Sequence, residues 1–335
     1  VADKRQAGQL KRAAFLFSSL LTLAVVVCVL SLALVVGVFF SPGPQRAGQV
    51  IILDKGQSLT QASRMLEAQG LIHNQQVFRI MVRAQGLAGR MRAGEFYVPL
   101  GASMADIQEI LINGQVVLHP ITLPEGLTSQ QIITILEASP VLEGEVDVPP
   151  EGALLPETYY VPRGQSRAAL IAEMMRAQQA LMQALWVTRQ ANLPFTTQRE
   201  ALILASIVEK ETSQTGERAM VAAVFVNRLK KKMRLQADPT VIYGLVQGKG
   251  TLGRPIRRSE LKRKTAYNTY QINGLPPTPI ANPGRAALAA VLNPAASNAL
   301  YFVADGAGGH VFTDKLEVHN RNVARWRKIE KSRAR

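Results

Sequence analysis

One cysteine among 335 residues, Cys28, leaves this chain neither an intramolecular disulfide nor a zinc site built from cysteines. Histidine is scarce too. His73, His119, His310 and His319 are scattered with no HExxH spacing, so no metal site is expected. No phosphate-binding loop stands out either: GAGGH at 306–310 lacks the following Lys and Ser/Thr and reads as a turn. The expectation is chemistry without a cofactor. Acidic residues are outnumbered, 24 Asp and Glu against 39 Lys and Arg, for a formal net charge of +15. That excess suits nucleic acid, anionic lipid or an anionic polymer, and topology has to choose among them. Runs such as Lys230, Lys231 and Lys232 also have the plainer reading of a solvated face.

What the chain has in plenty is one charge-free stretch, AAFLFSSLLTLAVVVCVLSLALVVGVFF at 13–40. It exceeds the roughly 20 apolar residues that cross a bilayer, and it predicts one transmembrane helix. A cleaved signal peptide would have an apolar core of only about 7 to 15 residues and a small-residue cleavage site. Here the run is longer and ends in SPGP, which favours an uncleaved anchor. Lys4, Arg5, Lys11 and Arg12 precede it, with only Arg46 and Lys55 soon after, so the positive-inside rule puts a tail at 1–12 in the cytoplasm. The rest of the chain is then extracytoplasmic, where nucleic acid is excluded as a partner.

Beyond a turn-rich linker, VIIL at 50–53 reads as a strand and SLTQASRMLEAQGLI as a helix, with Gly70 at its C-terminal end. A second helix is expected over 75–86, a strand in RAGEFYVP, and a third helix in ADIQEILING closed by Gly114. The DKGQSLTQAS opening and the RAGEFYVP close resemble a LysM-like module, so linker and module are assigned to 41–115. Saccharide binding and a spacer role are both open to it.

A second α+β domain is expected over 116–335. VVLHPITL is strand-like, and GLTSQQIITILEAS is a helix capped by Thr128 or Ser129. EGEVDVPPEGALLPETYYVPRGQS is a long connection of the kind that carries function or is disordered. LLPETYY is too apolar for disorder, which puts Glu157 and Tyr159 near a substrate; the alternative is that Tyr159 and Tyr160 are core aromatics. A long helix follows with Leu170, Met174, Leu181 and Leu185 as its seam, and then a helix capped by Thr196 or Thr197 with Glu200 in its first turn.

That helix holds Glu209 and Glu211 within ALILASIVEKET. Desolvation raises a carboxyl pKa toward neutrality, where the group still has a proton to give. Two residues apart on a helix, the pair projects about 200° apart, so only one can face a cleft. Ala205, Val208 and Thr212 mark an inward side without settling which. Downstream, RLQADPTVIYG and TAYNTY supply Asn227, Gln236, Asp238, Thr240, Tyr243, Tyr267 and Asn268 as hydrogen-bonding or stacking groups suited to a sugar polymer. Asp238 has an alternative as a helix N-cap, and Asn227 and Arg228 an alternative as structural residues.

Six ordered stretches carry a resemblance: ITLPEGLT (121–128), LLPETYYVP (154–162), LASIVEKET (204–212), VFVNRLKKKMRLQADPTVIYG (224–244), TAYNTYQINGLPPTPIANPG (265–284) and LYFVADGAGGHVFTDKLEVHN (300–320). They resemble the endolytic murein transglycosylases, the YceG-like family. The resemblance implies an α+β catalytic domain and Glu211, followed by Thr212, as the acid. It further implies endolytic cleavage of the MurNAc–GlcNAc bond in nascent peptidoglycan strands near the membrane, giving 1,6-anhydro-MurNAc ends, beside penicillin-binding synthases. The alternatives are a membrane-anchored glycan-binding scaffold, or a hydrolase with a second carboxylate such as Glu157 or Asp238.

Overall fold

The structure, a computed structural model, describes residues 2–212 and 214–333, with side chains from Phe15 onward except Thr215. It divides into two compact units, Val1–Leu118 and His119–Arg335. In the first, helix α1 (Ala2–Phe40) runs through the stretch expected as a tail. The basic residues taken to orient it, Lys4, Arg5, Lys11 and Arg12, lie outside the side chains described. Among the described residues, Phe15–Phe40 is the one helix long and apolar enough to cross a membrane, and its large side chains from Phe15 to Leu34 are exposed.

Strand β1 (Gln49–Leu53), helices α2 (Leu59–Ala68) and α3 (Gln75–Ala84), strand β2 (Gly94–Val98) and helix α4 (Met104–Asn113) complete this unit. The strands are antiparallel, with Ile51 opposite Phe96. Helices α2, α3 and α4 each start where a short polar side chain takes up orphan backbone donors: Ser58 in a capping box with Gln61, Asn74 accepting from the amides of Gln76 and Val77, and Ser103 in a box with Asp106. Ile51, Leu66, Phe78, Phe96 and Ile107 form the core.

The last turn of α1 belongs to that core. Phe39 is 1% exposed, with its ring centroid 6.5 Å from that of Phe78. Removing residues 1–40 therefore deletes a core side chain along with the anchor. A protein beginning at Ser41 should unfold at lower denaturant than one beginning at Val36, because deleting a buried Phe costs about 3–5 kcal/mol; equal midpoints would show that Phe39 contributes nothing.

The second unit begins with β3 (Leu118–Thr122), α5 (Ser129–Ala138), β4 (Leu142–Glu143), β5 (Thr158–Pro162) and β6 (Gln165–Ser166). Strand β3 pairs with β5, and β4 pairs with β6 in parallel. Helices α6 (Arg167–Val187), α7 (Gln198–Glu211), α8 (Arg218–Lys230), α9 (Asp238–Val246), α10 (Arg258–Lys262) and α11 (Arg285–Leu292) follow. An antiparallel hairpin, β7 (Tyr301–Ala304) and β8 (His310–Thr313), and helix α12 (Leu316–Arg333) close it.

Helix α7 is the axis of the larger core. Leu204, Ala205, Ile207 and Val208 pack with Val221 and Phe225 of α8 and with Leu288 and Val291 of α11. A helix buried all round needs its polar ends satisfied by the surroundings. Thr197 and Glu200 form a capping box at its start, and Thr128 does the same with Gln131 for α5. The Pro-rich strap PPTPIANPG crosses α7: the Ile280 amide donates to Ser206 Oγ, and the Gly284 amide donates to Glu209 Oε2. Asn282, fully buried, accepts from the Leu154 amide and donates to Leu127 O, Ser129 Oγ and Glu151 Oε1. The long connection after α5 is thus ordered and pinned to this strap.

Candidate active site

Helix α7 ends at Glu211 because Thr212 turns to extended geometry, φ −143° and ψ 131°. The final side chain leaves the packed stack and enters a cavity of about 380 Å³ lined by Glu211, Phe225, Arg228, Leu235, Gln236, Asp238, Tyr270, Phe302 and His319. Glu211 Oε1 is shielded from solvent and has no hydrogen-bond partner among the described residues. Burial pushes the carboxyl up to about 8, Asp238 reinforces the rise, and Arg228 opposes it. Desolvation wins, so the group is mostly protonated at neutral pH.

Glu209 faces elsewhere. Its carboxylate takes the Arg218 guanidinium at 3.0 Å and the Gly284 amide at 3.0 Å, and Arg218 also reaches Glu125 at 3.2 Å. Burial raises its pKa as well, with the Gly284 amide and then Arg218 working against it. Glu209 is paired within the fold, whereas Glu211 lines a cavity, its Oε1 without a partner among the described residues. The Thr212 hydroxyl accepts the Gln214 amide at 3.0 Å.

Opposite α7, the turn before α9 brings in Gln236 and Asp238. Gln236 has φ 53°, a left-handed conformation costly for a residue with a Cβ, and strain of this kind gathers at functional sites. The turn is held by a buried lock: the Ala237 amide donates to Thr269 Oγ1, Thr240 Oγ1 donates to Ala237 O, and the two threonine hydroxyls are 2.8 Å apart. Asp238 is the first residue of α9 and not its N-cap, which is Ala237. Its Oδ1 accepts the Tyr270 hydroxyl at 2.7 Å. Burial, with Asp238 next, raises the Tyr270 pKa, so the phenol stays a donor.

Arg228 braces the cavity, donating through Nε to Leu300 O at 2.7 Å and through Nη1 to Leu235 O at 2.6 Å. Its guanidinium carbon lies 5.4 Å from the Tyr301 ring centroid, and the His319 imidazole stacks on the same ring at 5.1 Å. Of the residues singled out in the sequence, Glu211, Gln236 and Asp238 meet here.

The others have different places. Thr240 and Asn268 hold the frame, Asn268 Nδ2 donating to Glu260 O, Leu261 O and Arg263 O while its Oδ1 accepts the Tyr270 amide. Asn227 donates to Ser297 O and Ala299 O before β7. Tyr243 packs against Tyr267 with centroids 5.0 Å apart and the rings tilted by 54°, and it donates to Glu151, beside a second cavity of about 350 Å³ that includes Lys210 and Gly248. The Tyr267 hydroxyl meets Thr278. Tyr159 is a core residue, its hydroxyl donating to Leu155 O, and Glu157 is half-exposed 3.7 Å from Arg285. The aromatic segment around Tyr159 packs because β5 pairs with β3, which turns alternate side chains inward.

The sequence offers Tyr270 only as part of TAYNTY, leaves Arg228 open between a site role and a structural one, and shows His319 only as a scattered histidine. The signal for all three was their presence in the six family-like stretches, since nothing local distinguishes them.

A model of the YceG-like family matches residues 51–325. The chain belongs to the YceG-like family. Among relatives of this YceG-like protein, the endolytic murein transglycosylase of Bacillus subtilis (strain 168) is 28% identical over 304 residues, covering 81% of this chain and 82% of that protein. The protein of the same description from Streptococcus pneumoniae serotype 2 (strain D39) is 28% identical over 322 residues, covering 81% of this chain but 57% of its own length. A 2.6 Å crystal structure of a yceG-like protein from Listeria monocytogenes superposes with a TM-score of 0.52 at 28% identity, spanning 83% of this YceG-like chain and 99% of that one.

Proposed function

We propose that this protein is a lytic transglycosylase that cuts peptidoglycan strands internally, with Glu211 as the proton donor. The observation that carries this is a carboxyl at the end of a buried helix, its Oε1 shielded and without a hydrogen-bond partner among the described residues, facing a cavity with Gln236, Asp238, Tyr270 and His319, where burial raises its pKa to about 8. The relatives' description as endolytic murein transglycosylases names the polymer that fits it.

Glycosidic cleavage begins with protonation of the leaving oxygen, which a carboxyl still protonated at pH 7 can supply. As a carboxylate, Glu211 then takes the proton of the C6 hydroxyl of N-acetylmuramic acid as that oxygen closes on C1. One acid suffices, and no water enters. Asp238, held by Tyr270, serves to keep Glu211 protonated and to seat the sugar. Helix α1 anchors the enzyme beside newly made strands, N-terminus inside, close to the penicillin-binding synthases that make them. The β1–α2–α3–β2 order with antiparallel strands supports reading the first unit as a LysM-like module.

Mass spectrometry of a peptidoglycan digest tests the reading. Fragments should end in 1,6-anhydro-N-acetylmuramic acid, about 18 mass units lighter than a hydrolysed end, rather than in the products of a two-carboxylate scheme. Cuts should fall within strands. Asp238→Asn should slow cleavage by about tenfold, a loss near one hydrogen bond to a charged group, without changing the product. Glu157→Gln, at the surface pair with Arg285, should change it less than about twofold, as exposed pairs contribute little. Reducing muramic ends as the main product would overturn the lyase reading, and complete inactivation by Asp238→Asn would favour a hydrolase.

A further inference from the structure

Most buried polar atoms in folded proteins have a partner, so an orphan calls for a reason. Among the described residues few buried side-chain nitrogens or oxygens lack one, and two that do, Glu211 Oε1 and His319 Nδ1, belong to the same cavity. Glu211 has its explanation in proton transfer. His319 has none within the fold.

Its ring is well placed for a ligand. His319 lies near the start of α12, and its imidazole stacks on Tyr301 with 24° between the planes. Arg228 approaches the same Tyr301 ring, and its own position is fixed by Leu300 O and Leu235 O. The stack limits how far the imidazole can turn to find a partner within the protein. Burial, and then the Arg228 charge, lower the His319 pKa, so the ring is neutral with one N–H and one lone pair. A group that both donates and accepts matches hydroxyl and acetamido substituents, while Phe225 and Phe302 give the same cavity apolar walls.

We propose that His319 is a second substrate-contacting side chain of the Glu211 cavity, hydrogen-bonding a hydroxyl or acetamido group of the bound sugar. It rests on the glycan reading above. It also accounts for α12, a helix with no buried residue of its own that carries the imidazole to the site.

The experiment measures binding, with cleavage switched off. Full-length protein in detergent carrying Glu211→Gln is titrated with purified glycan strands stripped of their peptides, alone and combined with His319→Phe, His319→Asn or His319→Gln. Phe keeps the stack on Tyr301 and removes both nitrogens; Asn places an amide near the position of Nδ1, and Gln near that of Nε2. His319→Phe should weaken binding about five- to 100-fold, the range for leaving a polar partner unmet, with the melting temperature unchanged. At least one of the two amides should recover most of the loss and so identify the nitrogen in contact. Unchanged binding by His319→Phe, or a loss that neither amide repairs, would overturn the inference alone. Failure of the Glu211→Gln parent to bind strands would overturn the glycan reading and this inference together.

Discussion

Glu211→Gln should lower the rate of glycan cleavage by about 100- to 10,000-fold, the usual contribution of a positioned acid and base. Gln fills the same space but cannot give a proton. Stability should respond in the opposite sense. The carboxyl is raised from 4.5 to about 8 in the folded protein, so the folded state holds a proton that the unfolded state has lost between those values. Its stabilising effect is fully present below about pH 4.5 and is lost as pH rises through about 8. Glu211→Gln, which never ionises, should therefore melt at a higher temperature than the wild type above pH 8 and at a similar one in acid. The wild-type kcat/KM should fall above about pH 8 as the acid ionises. Retained cleavage by Glu211→Gln, with loss in Glu209→Gln, would show that the proton comes from the other glutamate.

Arg218→Met should give a large loss of stability. Arg218 and Glu209 side chains are 10% and 4% exposed, and their pair ties the end of α7 to the start of α8. Removing one partner leaves a buried carboxylate with little beyond the Gly284 amide, and broken buried pairs cost about 3–5 kcal/mol. For a unit of this size, that is roughly a 6–20 °C fall in melting temperature. The Glu209 carboxyl, already raised by burial, should rise further without the guanidinium, so the defect should grow with increasing pH. Adding Glu209→Gln to Arg218→Met should restore part of the loss, because the uncompensated charge goes with it. A double variant no more stable than Arg218→Met would show that the cost lies in lost packing of the arginine and not in the stranded charge.

The same helix shows how far a sequence reaches. Thr197 and Glu200 predict where α7 begins, and the apolar run through Val208 predicts its burial, because caps and periodicity are local. Spacing also separates Glu209 from Glu211 on the helix. Where each carboxylate goes was not legible, since Arg218 and Gly284 come from other elements. Asp238 illustrates the limit in a smaller way: DP before a helix suits an N-cap, yet the chain starts the helix one residue earlier and gives the side chain to Tyr270. Tyr159 and Asn227 look like sugar ligands by residue type. In the fold the Tyr159 hydroxyl donates to Leu155 O and Asn227 Nδ2 to Ser297 O and Ala299 O, partners that no local pattern reveals.

By itself the sequence determined the apolar helix from 13 to 40, the mixed helix and strand pattern beyond it, and an apolar helical run that holds Glu209 and Glu211. All three follow from composition and periodicity within short windows. Tertiary structure alone decided that Phe39 leaves the anchor for a core, and that Arg228, Tyr270 and His319 converge on Glu211. The physical reason is that a cavity's electrostatics sum over groups distant in the chain: burial by α8 and the hairpin raises the Glu211 carboxyl, and Asp238 and Arg228 adjust it from opposite sides.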